Sequence, residues 1–396
     1  MSRYQHEEEE HMVHAFQKFP LTIVRGKGSM VWDDAGREYL DFMTGYGVAL
    51  VGHSNDAVVR AINEQAAKLI TCHGTFYNDA RSAFLEKLAR VAPKGLGKAL
   101  LTNSGTETME AAIKLARRST GRKKMVSMKG GFHGKTYGSL SATWSPKYRD
   151  PFAPLLDGFE FAEYGNPDSL SHLVSKETAA VIAEPIQGES GIIVPPADYF
   201  AKVREICDRE GALLILDEIQ SGLGRTGKMW ASEHWGVVPD IMTVAKGLAG
   251  GVPIGAALTT TEIAGSLKGG EHTSTFAGNP LSCAAGSATL DFIVENNLPA
   301  RAESLGNTMK AGLAEIARKH KLVKEVRGLG LMLALQSRVD IHSQLLSAQS
   351  KGVIFAYAGR DTFRFLPALV VQPDEIARAL DVLDGVIGEE EAKRFR

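Results

Sequence analysis

ALLILDEIQ, residues 212–220, is an apolar, β-rich run that stops on two carboxylates, Asp217 and Glu218, with Ile219 and Gln220 behind them. A second such run, DIMTVAK at 240–246, stops on Lys246 and gives way to the glycines of GLAGGVPIG. The two stops are 246 − 217 = 29 residues apart, about one strand–helix–strand unit. Ligands of open α/β sheets bind beyond the carboxyl ends of the strands, so an Asp and a Lys can meet there. A lysine buried at such a place is costly unless its amine is neutral or covalently used. A Schiff base to pyridoxal phosphate uses it, and the Asp then pairs with the protonated pyridine nitrogen. Either residue alone would read as half of a surface ion pair. The functional reading rests on the pair together with a phosphate site.

Outward from this pair, similar runs occur at KALLT (98–102), KKMVSM (123–128) and AAVIAEP (179–185). Between them the spacing is helical. From Thr106 to Arg118, Met109, Ala112, Ile113 and Ala116 share a face; from Tyr199 to Glu210, Val203, Ile206 and Cys207 do so. The 41 glycines sit at the ends of the apolar runs. Uniformly apolar strands alternating with amphipathic helices predict an α/β fold, with a mostly parallel sheet covered on both faces, over residues 50–285. Residues 20–43 read as a β-meander with a turn at Asp34–Gly36, within an N-terminal segment 1–49 that joins a smaller domain. Residues 286–396 read as that small α+β domain: helix over 286–320, strands at 330–336 and 362–369, and a last helix from Pro373. The acidic runs Glu7–Glu10 and Glu389–Glu391 read as solvated termini.

The phosphate site is predicted in LLTNSGTETMEAAIKLARR, a strand, then Asn103-Ser104-Gly105-Thr106, then a helix. Ser104 and Thr106 bring hydroxyls, Gly105 lets backbone N–H groups approach, and the helix start adds partial positive charge. Taken alone, the segment reads more simply as a helix N-cap. In GGFHGKT (130–136), Phe132 can stack on a flat ring and His133 can line it; the plain alternative is a glycine-rich turn with a core aromatic.

With 45 basic and 46 acidic residues among 396, the chain lacks the basic excess of a nucleic-acid-coating protein. A hydrophobic share of 44% with 23% charged residues excludes disorder as the main state. Three scattered cysteines argue against a disulfide framework or a structural zinc, and no metal is expected. The N-terminal MSRYQHEEEEHMVHAF lacks the pattern of a signal peptide, and no run of 18 uncharged apolar residues occurs. A cytoplasmic protein without membrane contact is expected.

Asp217 in LDEIQSGLGRTGK, Lys246 in DIMTVAKGLAGGVPIGA, NSGTE at 103–107 and FHG at 132–134 together resemble the class III aminotransferases, of the fold-type I pyridoxal-phosphate enzymes. The acetylornithine and ornithine aminotransferase branch is the nearest in pattern. GHSNDAVVRAI (52–62), AEPIQGESG (183–191), HTSTFAGNPLSCAA (272–285), VRGLGLM (326–332) and RFLPALVV (364–371) extend the likeness over residues 20–385. The resemblance implies that Lys246 is the Schiff-base lysine and proton shuttle and that Asp217 keeps the ring nitrogen protonated. Gln220 would lie near the ring hydroxyl, Phe132 on the ring with His133 beside it, and Glu184 near the ring. Ser104, Gly105 and Thr106 would bind the phosphate. Ser274 and Thr275 would reach the phosphate in a neighbouring subunit, making a homodimer the minimum assembly.

For substrates, the resemblance assigns Arg364 to the α-carboxylate of 2-oxoglutarate and Glu189 to masking Arg364 while an ω-amine reacts. Tyr46 and Tyr77 would line the substrate pocket. The family usually has FHGRT, whose arginine takes the distal carboxylate; Lys135 stands there here and lacks the two-pronged geometry. Residues 111–149 hold ten basic residues and no acidic one. They read either as a solvated face or as attraction for anionic substrates or an acidic partner; the stretch around TGRKK and SATWSPKYRDPF resembles the branch of the family that works on lysine and arginine precursors attached to a small acidic amino-group carrier protein. The expected reaction moves the terminal amine of N-acetylornithine, or of a carrier-linked ornithine or lysine, to 2-oxoglutarate, giving a semialdehyde and glutamate, in arginine or lysine biosynthesis. Ornithine or 4-aminobutyrate transamination is the alternative. An aminomutase would not need Arg364 and Glu189, and a non-catalytic relative would not need Lys246 and Asp217.

Overall fold

The computed structural model describes residues 2–394; Met1, Phe395 and Arg396, the outer ends of the two terminal ranges, lie outside it. Its central sheet has seven strands, in the order Lys98–Thr102, Gly255–Thr259, Ile241–Val244, Leu213–Asp217, Thr178–Ala183, Lys124–Met128 and Phe159–Ala162. The last five run parallel, while Gly255–Thr259 is antiparallel to both neighbours. Thr178–Ala183 is buried at every residue, which is why it reads as a continuous apolar run. Side chains alternate between two cores. Ala180, Ile182, Ile215 and Ile241 pack with Met109, Ala112, Ile113 and Ala116 of the helix Gly105–Thr120. Val181, Ala183, Leu214 and Leu216 pack with Phe200, Val203, Ile206 and Cys207 of the helix Tyr199–Glu210.

The second sheet also has seven strands and joins the two chain ends. Ile23–Lys27, Met30–Asp33 and Glu38–Phe42 form the N-terminal meander, and Val353–Ala358 runs parallel to Glu38–Phe42. The C-terminal part has four strands, Val323–Leu329, Met332–Ser337, Val353–Ala358 and Thr362–Phe365, where the sequence suggested two. Val353–Ala358 escaped because it is almost wholly buried and shows no polar alternation. The strand predicted over 362–369 stops at Phe365, just before Pro367, which has no N–H to give a ladder. The run Glu389–Glu391 also needs correction. It lies inside the helix Pro373–Arg394, Glu390 is buried, and Glu391 and Asp384 each reach a ring nitrogen of buried His320 at 2.8 Å. Glu7–Glu10 sits on a helix, Arg3–His11, that buries nothing. No helix among the described residues is long and apolar enough to cross a membrane.

Candidate active site

The strand Leu213–Asp217 delivers Asp217 to the carboxyl edge of the central sheet, and the neighbouring strand Ile241–Val244 ends two residues before Lys246. They meet in a cavity of about 220 Å³ lined by Gly105, Thr106, Phe132, His133, Gly134, Glu184, Glu189, Asp217, Ile219, Gln220 and Lys246. Lys246 takes φ +44°, a conformation uncommon outside glycine. The turn is tight: a Cβ on Gly247 would lie 2.7 Å from the Leu50 Cβ. Burial pushes the Lys246 amine below its ordinary pKa, with the charge of Glu189 opposing; no hydrogen bond contributes.

Asp217 is held at three points. Its Oδ2 lies 2.7 Å from His133 Nδ1, and its Oδ1 accepts from Ile219 N at 3.1 Å and Thr243 Oγ1 at 3.2 Å. Burial alone would lower the His133 pKa, but the bond to Asp217 and its charge raise it overall. His133 Nε2 and Gln220 Oε1 are buried without a partner. Two orphaned polar groups around a cavity with a pinned carboxylate and an unbonded amine fit pyridoxal phosphate. Above them the helix Gly105–Thr120 begins. Ser104 caps it by accepting from Glu107 N, which leaves the Ser104 O–H able to donate, while Gly105 and Thr106 face the cavity.

Arg364 is fully buried; its Nη1 donates to Gly188 O at 2.8 Å and to Glu189 Oε1 at 3.0 Å. Its Nε and Nη2 have no partner, leaving the edge that takes a carboxylate side-on. The Tyr46 ring lies 5.1 Å from the guanidinium, and burial pushes the Tyr46 hydroxyl up to about 12. One expectation finds a different place. Tyr77 is fully exposed and lines a separate depression with Asn78, Asp79 and Arg81. Arg81 donates to the carbonyls of Cys72, Phe76 and Gly278, which ties that loop to the segment at Gly278. Ser274 accepts from Asn103 Nδ2 at 3.0 Å, and neither it nor exposed Thr275 lines the cavity.

Lys135 is exposed, its Nζ 4.6 Å from the centre of the Tyr148 ring. Most of the basic stretch is satisfied within the chain. Arg118 pairs with Glu271, Lys124 with Glu160 and Lys129 with Glu163. Arg122 donates to three carbonyls, Arg117 to one, and Lys114 reaches His272. Sequence reading passed over two residues here. Ile219 lines the cavity; its place right behind the strand-end carboxylates was the available signal. Tyr148, whose ring meets Phe132 edge-on at 5.8 Å, gave no signal.

Glu184 accepts from Phe132 N at 3.0 Å and Gly188 N at 2.9 Å. Burial raises its pKa from 4.5 to about 7, with Asp217 adding and His133 opposing. Between those values the folded state binds more protons than the unfolded one, so stability falls as pH rises through the window. The effect is on the order of 3 kcal/mol. Glu184→Gln should flatten the decline in melting temperature from about pH 5 to about pH 8. Its constant offset from a lost acceptor is not the readout; parallel curves for the two proteins would refute the assignment.

The aminotransferase class-III family model matches residues 12–387. The chain is 44% identical to the acetylornithine aminotransferase of Methanopyrus kandleri, over 93% of this chain and 94% of that one. It is 45% identical to the LysW-aminoadipate semialdehyde transaminase of Deinococcus radiodurans, over 94% and 87%. The ornithine aminotransferase of Toxoplasma gondii, solved with partial occupancy of PLP at its active site, superposes with a TM-score of 0.95 at 31% identity, over 99% of this chain and 96% of that one. A pinned Asp, an unbonded Lys and a helix start around one cavity thus stand in a chain that belongs to the class-III aminotransferases, enzymes dependent on pyridoxal phosphate.

Proposed function

We propose that the chain transfers the terminal amino group of an ω-amino donor to 2-oxoglutarate, and that the donor is N-acetylornithine or a carrier-linked ornithine or lysine. The observation that carries this is the Arg364–Glu189 contact at 3.0 Å on the wall of the cavity that holds Lys246. A keto acid needs a guanidinium for its α-carboxylate; an ω-amine carries none at the reacting carbon and is served by a neutralised one. Relatives named for acetylornithine and for LysW-aminoadipate semialdehyde support both donors. Pyridoxal phosphate, when bound, supplies an electron sink for the carbon that carries the amine. The chain supplies the rest. Asp217, fixed by His133, Ile219 N and Thr243, presents a negative charge to the pyridine nitrogen. Ser104, Gly105, Thr106 and the helix start would hold the phosphate. Phe132 would stack on the ring, and Gln220, with Oε1 unpartnered, would meet the ring hydroxyl. Lys246, its pKa lowered by burial, gives and takes the proton at the reacting carbon.

A homodimer belongs to this reading. Leu69, Ile70, Phe76, Tyr77 and Phe276 are all exposed, and Arg81 ties their loops together through Cys72, Phe76 and Gly278. Such a patch suits a subunit interface. It adjoins Ser274 and Thr275, which would reach the partner's phosphate, as Tyr77 would reach the partner's pocket. A cytoplasmic setting is supported by three unpaired cysteines.

The test is a panel of donors assayed with 2-oxoglutarate, on protein confirmed as a dimer by sedimentation. N-Acetylornithine and the carrier-linked donors should outperform ornithine and 4-aminobutyrate. The Debye length shrinks from about 30 Å at 0.01 M salt to about 8 Å at 0.15 M. A macromolecular acidic donor should therefore lose apparent affinity over that range, mainly in KM, while N-acetylornithine loses much less. Best turnover with 4-aminobutyrate would overturn the donor assignment.

A further inference from the structure

Where a guanidinium would hold a distal carboxylate by two prongs, Lys135 offers one ammonium on a flexible four-carbon stem. Such a stem is a poor anchor unless something fixes it. Lys135 has no carboxylate within ion-pair distance among the described residues; its Nζ lies instead 4.6 Å from the centre of the Tyr148 ring. A second ammonium, on Lys147, lies 6.0 Å from the same ring and is likewise exposed. The other edge of Tyr148 is locked: its ring meets that of Phe132 at 76° and 5.8 Å, and Phe132 lines the cavity, its N–H tied to buried Glu184. Glu189 and Arg364 lie close enough to perturb the half-buried Tyr148 hydroxyl, Glu189 raising its pKa beyond the effect of burial and Arg364 opposing. Tyr148 thus feels the charges of Glu189 and Arg364 while two ammoniums of the basic stretch, Lys135 and Lys147, lean on its ring.

We propose that Tyr148 is a positioning residue for the distal carboxylate: its ring, packed on cavity-lining Phe132, holds the ammonium of Lys135, the residue after cavity-lining Gly134, with Lys147 as a second cation over the same ring. The substrate class this selects is a chain with a carboxylate at the end remote from the reacting carbon. A cation over an aromatic face is held without being neutralised. The ammonium therefore keeps its full charge for the ligand, which an ion pair with a carboxylate would have removed.

This inference rests on the reading that a dicarboxylate uses the pocket, and the test separates the two. Binding to the pyridoxal-phosphate-loaded enzyme is measured by calorimetry with glutarate, which has two carboxylates, and with valerate, which has one. Tyr148→Leu should weaken glutarate about tenfold, as Lys135→Ala does, and leave valerate within about twofold. Tyr148→Phe keeps the ring and should restore glutarate to within about threefold of the unaltered enzyme. The double variant Lys135→Ala with Tyr148→Leu should be worse than Lys135→Ala alone by no more than the few-fold that Lys147 contributes, because Tyr148 acts through these two lysines. Lys147→Met should weaken glutarate by a few-fold, an effect that fades with salt. Equal loss for both ligands in Tyr148→Leu, failure of Tyr148→Phe to rescue, or additive losses in the double variant would overturn the proposal. If glutarate does not bind the unaltered enzyme at all, the reading beneath it fails, and the proposal with it.

Discussion

Lys246→Ala is expected to reduce transamination by at least about a thousandfold while leaving the protein folded. Two roles converge on one amine, covalent attachment and proton transfer, and proton transfer by a positioned group alone contributes about 10²–10⁴-fold. The structure gives little reason for collateral damage. The amine makes no hydrogen bond that Ala would lose, and the φ of +44° is as uncommon for Ala as for Lys. Asp217, Gly105 and Thr106 remain, so the variant should still bind pyridoxal phosphate, but without attachment. Borohydride reduction followed by peptide mass analysis separates the cases. The unaltered enzyme should carry the cofactor's mass on the peptide containing Lys246, and the variant should carry none. Residual activity within tenfold of the unaltered enzyme, or a cofactor mass on another lysine, would remove Lys246 from the centre of the reaction.

The parts of this site that were legible in sequence share one physical cause. Parallel strands buried on both faces become bare apolar runs, so a charged residue at the end of such a run stands out, as Asp217 and Lys246 do. The helix start at Gly105 is legible because capping chemistry is local. What was hidden depends on contacts between distant segments. Arg364 and Glu189 are 175 residues apart, and only the likeness to a family joined them. The raised pKa of Glu184 arises from burial beside Asp217, which no spacing encodes. Tyr148 was passed over because its stretch was read for charge, whereas in space its ring gathers two of those charges. The basic stretch was legible as a count and not as a field: its guanidiniums and ammoniums are mostly consumed by Glu271, Glu160, Glu163 and backbone carbonyls. In the second sheet the strand Val353–Ala358 was missed for the reason that made the first sheet easy. Burial on both sides erases period.

Glu189→Ala should shift donor preference toward α-amino acids, raising kcat/KM for glutamate relative to the ω-amine by on the order of tenfold to a hundredfold. The geometry also says how the shift should arise. Glu189 engages only Nη1 of Arg364, which it shares with the Gly188 carbonyl, and the Nε–Nη2 edge stays unpartnered. Glu189 therefore does not block the edge that a carboxylate would use; it cancels the charge that would attract one. A gate built on charge makes a definite demand on Glu189→Gln. That side chain can keep a hydrogen bond to Nη1 but not the negative charge, so it should behave like Ala rather than like the native residue. A gate built on occupied donors demands the reverse. Because Arg364 is fully buried, losing its partner also carries a stability cost, and melting temperatures must accompany the kinetics. The comparison that decides is the ratio of the two donors within each folded variant, from which shared losses cancel. A ratio unchanged in both variants would make the 3.0 Å contact a brace for Arg364 and place donor selection elsewhere in the cavity.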